Sequence, residues 1–193
     1  MHNILAKIIA QKRKDLIAEK RSNFKTVILK ASDTAIIGEL KFASPKDQNI
    51  GSPAVLLTQA RNYETAGLTA ISIITEKHFF KGNISFILQV KQIIKIPILF
   101  KDFIIDESQI YQAKAVGSDA ILLITRIVEK ATLQRFVLIA KKIGIEPVVE
   151  LADDEDLEKA LSSRVDIIAV NARDLDTFEV NVNKACQLLE KIP

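Results

Sequence analysis

Polar side chains recur at one kind of place in this 193-residue sequence, the ends of short apolar runs. The first run ends in Glu39-Leu40-Lys41 and the third in Lys101-Asp102. The fifth ends in Glu150 and the sixth in Asn171-Ala172-Arg173. If those ends meet, two lysines, three carboxylates, an amide and a guanidinium share one mouth. Interleaved opposite charges shift pKa values in both directions, which suits acid–base catalysis on an anionic substrate. Taken singly, a charged residue after a strand is usually a solvated loop residue. The weight lies in the recurrence, because the opposite ends of the runs carry Gly, Pro, Ser and Thr. Alternation within Glu39-Leu40-Lys41 points both polar side chains to one side of a sheet. No metal site is expected, since His2 and His78 lack partners at ligand spacing. Ser44 has no Ser–His–Asp context and is not read as a nucleophile.

The elements that position these residues follow a regular rhythm. Six β-branched runs, at 35–40, 70–75, 97–100, 120–125, 147–151 and 167–171, are nearly continuous in apolar residues. Continuity rather than alternation predicts strands buried on both faces, hence a parallel sheet. Amphipathic segments at 54–66, 108–116, 133–143 and 154–161 predict helices between them. Gly67, Gly117 and Gly144 each stand just after a helical segment, where a left-handed terminating residue fits. Asp153 or Asp154 is placed to cap the helix after the fifth run. Successive βα units build either a doubly wound sheet or a closed barrel. The first strand is followed by Lys41-Phe42-Ala43-Ser44-Pro45, not by a glycine-rich nucleotide-binding turn. That favours the barrel, whose active groups sit at the C-terminal ends of its strands.

Composition sets the outer bounds. The length suits one domain, with 1–30 as an N-terminal helical extension and 35–193 as strands 1 to 6 with their helices. Hydrophobic residues are 48% and charged residues 26%, as in an ordinary globular protein. The net charge of +3 is spread among acids rather than gathered in a stripe, so no nucleic-acid partner is expected. No stretch has the apolar length of a membrane span. A single cysteine, Cys186, gives no intrachain disulfide and fits a reducing cytoplasm. Near the N-terminus Ile4, Leu5, Ile8 and Ile9 alternate with Lys12, Arg13 and Lys14, which predicts an amphipathic surface helix to about residue 20.

With these residues in place, Glu39-Leu40-Lys41-Phe42-Ala43-Ser44-Pro45 resembles the E-x-K-x-x-S-P signature of the indole-3-glycerol phosphate synthase family. Further segments match in order: Thr75–Gly82, Pro97–Asp106, Val148-Val149-Glu150 and Asn171–Glu179. The resemblance implies a (β/α)8 (TIM) barrel of which the first six βα units are present, with an extra N-terminal helix. It implies a cofactor-free carboxy-lyase of tryptophan biosynthesis acting on a phosphorylated small molecule. The family closes the indole ring of 1-(2-carboxyphenylamino)-1-deoxy-D-ribulose 5-phosphate with loss of carbon dioxide and then water. By the same resemblance Lys101 is the general acid at the ribulose carbonyl and Glu150 the general base for dehydration. Lys41 binds substrate anions or serves as the acid for loss of hydroxide. Glu39 and Asn171 position these groups. Arg173 contacts the anthranilate carboxylate, Ser44 belongs to the substrate-binding set, and Phe80 and Leu122 pack on the aromatic ring.

The sequence also departs from the family pattern. The signature normally continues S-P-S-x-G, whereas Lys46, Asp47 and Gln48 follow Ser44-Pro45 here, and the loop loses its usual glycine. Phe42 and Phe100 stand where the family often has polar residues, and Ala172 replaces Asn, Ser or Thr. The family's E-S-G and I-G-x-S segments, which hold the phosphate, have no counterpart before Pro193. Three expectations follow: a fragment of the synthase, a non-catalytic or partner-dependent half that self-associates through open barrel edges, or another phosphate-binding barrel such as phosphoribosylanthranilate isomerase. The Lys101 and Glu150 segments argue against the third.

Overall fold

A computed structural model describes residues 4–18, 23–174 and 179–193. His2 and residues 175–178 of the last matching segment lie outside the described residues, as do residues 19 and 20 of the expected first helix. The six strands are β1 (Ile37–Leu40), β2 (Ala70–Ile74), β3 (Ile98–Lys101), β4 (Ala120–Ile124), β5 (Glu146–Leu151) and β6 (Ile167–Val170). The helices are α1 (Ile4–Ala18), α2 (Phe24–Leu29), α3 (Leu56–Thr65), α4 (Ser85–Lys91), α5 (Glu107–Ala115), α6 (Lys130–Ile143), α7 (Asp154–Ser162) and α8 (Val182–Leu189).

Strand order decides between the two architectures left open by the rhythm of the sequence. All pairings are parallel and the order is β1-β2-β3-β4-β5-β6. A doubly wound sheet reverses its order part-way, so that helices cover both faces. A sheet that never reverses carries every crossover helix on one face. Its other face is shielded only by curling on itself, as in a (β/α)8 barrel. These are six consecutive barrel units.

The curl produces two apolar layers, which is why the strands read as continuous rather than alternating. Ile71 and Ile73, Ile98 and Phe100, Ile121 and Leu123, Val149 and Leu151 face outward and pack with Ile87, Ile110, Phe136 and Leu157 of the surrounding helices. Ala70, Leu99, Ala120, Leu122, Ile124 and Val148 face inward, and Phe24 of α2 packs among them. Phe24 is 1% exposed; burying such a ring stabilises by about 2–3 kcal/mol. The two unusual phenylalanines belong to the outer layer. Phe100 is buried there, and Phe42 sets its ring edge against Phe86 at 5.5 Å.

The punctuation read from sequence is present. Gly67, Gly117 and Gly144 take positive φ values of 81°, 84° and 71°. Asp153, not Asp154, caps α7, its side chain accepting from the Asp156 amide. A second regularity lies at this end of the sheet. Lys91 of α4 donates to the Gly117 carbonyl after α5. Lys114 of α5 donates to the Gly144 carbonyl after α6 at 2.7 Å, and Lys141 of α6 to the Arg164 carbonyl after α7 at 2.7 Å. Each lysine thus closes an orphan carbonyl at the end of the next helix.

The helix expected near the N-terminus is present as α1, with Ile4, Leu5, Ile8 and Ile9 71%, 62%, 53% and 44% exposed. Two differences from the sequence reading stand out. The helical extension is two helices, α1 and α2, and α4 and α8 lie in segments not singled out as helical. Strand β3 is displaced by one residue, so that Lys101 is its last member rather than the first residue of the loop.

Candidate active site

The register levels the strand ends. Glu39 pairs with Ser72, Ile74 with Lys101, and Ile124 with Glu150. These positions face inward, so the polar residues at the C-terminal ends project into one cavity of about 400 Å³. All nine residues singled out from sequence line it: Glu39, Lys41, Ser44, Phe80, Lys101, Leu122, Glu150, Asn171 and Arg173.

One side of the cavity is a carboxylate held between two ammonium groups. Glu39 Oε2 accepts from Lys101 Nζ at 2.5 Å, and Glu39 Oε1 faces Lys41 Nζ at 2.8 Å. Burial alone would raise the Glu39 carboxyl, but Lys101 and Lys41 outweigh it and hold the group below its ordinary value. Glu39 therefore stays ionised and fixes both lysines.

The other side is built by β5 and β6. Glu150 is only 9% exposed. Its Oε1 accepts from Asn171 Nδ2 at 3.1 Å, and Asn171 Oδ1 in turn accepts from the Arg173 amide at 2.9 Å. Desolvation pushes the Glu150 carboxyl upward; Lys101 and Asn171 oppose that, Glu39 and Asp156 add to it, and the net shift is up. A carboxylate raised this way is a stronger proton acceptor when ionised.

Between the two sides lie Leu122 and Ile124 of β4, with Ile74. Phe80 faces Phe103 with ring centroids 6.1 Å apart. The loop carrying Phe80 is shaped by Glu76, whose carboxylate accepts from the amides of His78, Phe79 and Phe80 at 2.8, 2.7 and 3.0 Å. Gly82 closes that loop. A Cβ there would lie 2.5 Å from the Ile74 carbonyl oxygen and 2.6 Å from the Thr75 carbonyl carbon. Only glycine admits this approach. Across the strand ends Thr75 Oγ1 donates to Asp102 Oδ2 at 2.5 Å.

Lys46, Ile50, Ile74, Asp102, Phe103 and Ile124 also line the cavity. Apart from Asp102 they escaped a reading of strand ends: Lys46, Ile50 and Phe103 are on loops, and Ile74 and Ile124 look like ordinary core residues. Among the described residues no three metal-ligating side chains come together, and no helix is long and apolar enough to cross a membrane.

The arrangement is therefore an apolar, aromatic-sided slot with proton donors on one wall and a proton acceptor on the other. The indole-3-glycerol phosphate synthase family model matches residues 4–193. The chain belongs to that family. An indole-3-glycerol phosphate synthase from Caldanaerobacter subterraneus subsp. tengcongensis is 46% identical over 90% of this chain and 67% of its own length. One from Thermoanaerobacter sp. is 39% identical over 98% and 78%, and one from Desulfotalea psychrophila 36% over 100% and 81%. By family the activity is that of a carboxy-lyase forming indole-3-glycerol phosphate. Solved structures resemble the fold at low identity. A glycerophosphodiester phosphodiesterase from Galdieria sulphuraria aligns with a TM-score of 0.56 at 14% identity, covering 87% of this chain and 61% of that one. A dihydropteroate synthase from Xanthomonas albilineans aligns at 0.54 and 13%, covering 83% and 66%. Both likenesses concern the barrel alone.

Proposed function

We propose that this cavity closes the indole ring of 1-(2-carboxyphenylamino)-1-deoxy-D-ribulose 5-phosphate, with the roles divided between its two walls. The observation that carries the reading is the pairing of a lysine held by a carboxylate, Lys101 on Glu39, with a buried carboxylate held by an amide, Glu150 on Asn171.

In the first step the ring carbon bearing the carboxylate attacks the ribulose carbonyl carbon. The carbonyl oxygen gains a proton from Lys101, and the amine nitrogen becomes an iminium. Loss of carbon dioxide then returns the carbon–carbon bond electrons to the ring and neutralises the iminium. The apolar sides of the slot, Leu122 and Phe80, favour this charge-neutralising step. In the last step Glu150 removes a proton from the carbon next to nitrogen while the new hydroxyl departs as water. The proton for that departure comes from Lys41 or from Lys101 recharged. Glu39 holds both lysines in donor position, Asn171 orients Glu150, and Arg173 and Ser44 bind substrate. The reaction balances with no cofactor: one carbon dioxide and one water leave. We place it in the cytoplasm, where the rest of tryptophan biosynthesis supplies the substrate.

The test is Lys101→Ala. Turnover, followed by indole fluorescence, should fall to background while circular dichroism keeps the parent protein's folded signature. Retained turnover would remove Lys101 from the acid role.

A further inference from the structure

Lys46 stands where the family signature carries serine, and the structure puts it on the wall of the cavity with Lys41, Ser44 and Arg173. We propose that Lys46 is an additional anion-binding residue of the substrate site, recognising the substrate's carboxylate or its phosphate; the inference rests on the reaction proposed above.

The turn that carries Lys46 is fixed from several directions. Ser44 and Asp47 bond each other through their backbones, Ser44 N to Asp47 O at 2.6 Å and Asp47 N to Ser44 O at 3.1 Å. The Asp47 amide also donates to Ser44 Oγ at 3.1 Å, and Asp47 Oδ1 accepts from the Asn49 amide at 2.8 Å. Gln48 Nε2 donates to the Ser44 carbonyl at 2.8 Å and reaches the Phe79 carbonyl at 3.5 Å. Lys81 donates to the Gln48 carbonyl. The lip of the cavity is thus joined to the loop that carries Phe80. A lysine on such a turn is held at the entrance.

Charge makes the position matter. Without Lys46 the cavity has three cations, Lys41, Lys101 and Arg173, facing three carboxylates, Glu39, Asp102 and Glu150. Glu39 further engages both Lys41 and Lys101. The substrate brings a carboxylate and a phosphate into this balanced field. Lys46 adds a fourth cation to that lining, and because it is exposed its attraction is screened by salt. A serine there offers a neutral hydrogen bond; lysine offers charge at longer reach.

Lys46→Ser, which restores the family residue, tests this. At low salt KM should rise about three- to tenfold, with the effect on KM rather than kcat. The gap should close as ionic strength rises to about 0.5 M. Calorimetric titration with inorganic phosphate and, separately, with 2-aminobenzoate identifies the group: weaker phosphate binding in the variant assigns Lys46 to the phosphate, weaker aminobenzoate binding to the carboxylate. An unchanged KM at low salt, or a loss confined to kcat, overturns the proposal. So do equal affinities of parent and variant for both probes, or failure of the parent protein to bind either. Because the titrations do not need turnover, they judge Lys46 even if Lys101→Ala keeps its activity and the proposed reaction fails.

Discussion

Glu39→Gln separates the fixing of the two lysines from every other feature of the cavity. Glutamine has the same shape but one acceptor oxygen and no charge. One lysine keeps a weaker bond, and the other meets an amide NH2. The lost interactions were at 2.5 and 2.8 Å. Hydrogen bonds to charged groups contribute about 1.5–3 kcal/mol each. Losing one in the transition state lowers kcat by about 10- to 150-fold. The remaining bond is weakened but made, so the loss should stay short of complete inactivation. Glu39→Asp keeps the charge, withdraws it by one methylene and should recover part of the rate. Stability should move with pH in a defined direction. Because the Glu39 carboxyl is held below 4.5, its stabilising pairings are present above that value and fade as pH falls through the folded-state value. The melting temperature of Glu39→Gln should lie below that of the parent at neutral pH and approach it in acid. Stopped-flow and steady-state fluorescence of indole formation give kcat; calorimetric melting from pH 3 to 8 gives stability. A folded Glu39→Gln variant with unaltered kcat would refute the reasoning, because among the described residues Glu39 alone bridges Lys41 and Lys101.

Two further substitutions address the other walls. Glu150→Gln should abolish dehydration yet raise the melting temperature at neutral pH. The buried carboxyl has its pKa raised above 4.5, so its stability contribution is best below that value and is lost as pH rises; a gain that persists unchanged at pH 3 would contradict this cause. Gly82→Ala forces a Cβ against the Ile74 and Thr75 backbone; a loss of about 1–3 kcal/mol of stability and a higher KM are expected, and a variant with the parent's melting curve and KM would show that the loop relaxes freely.

Much of the fold was legible because its cause is local. Runs such as Ala70–Ile74 and Ala120–Ile124 are apolar on both sides, and only a strand between two apolar layers requires that. The glycines after α3, α5 and α6 marked their ends. Segments 85–91 and 182–189 were harder: Ser85-Phe86-Ile87-Leu88-Gln89-Val90-Lys91 is seven residues of mixed apolar character that fits a strand as well as a helix. The polar strand-end residues were found through position, since a barrel puts strand ends together wherever they lie in sequence. Phe103 and Lys46 were not, because a loop's path depends on contacts such as Gln48 with Phe79 that no spacing encodes. Phe42 and Phe100 looked anomalous in sequence only because the layer they fill became visible with the strand faces.

The lysines that reach from one helix to the carbonyl ending the next have a consequence for how the molecule comes apart. Each of these bonds joins a unit to its immediate successor. The linkage is therefore a ladder of neighbouring rungs, and cutting one rung, as in Lys114→Met, frees one junction while the others hold. Amide exchange should then quicken around Gly144 well before it quickens around Gly117, so that unfolding begins at a chosen seam of the barrel.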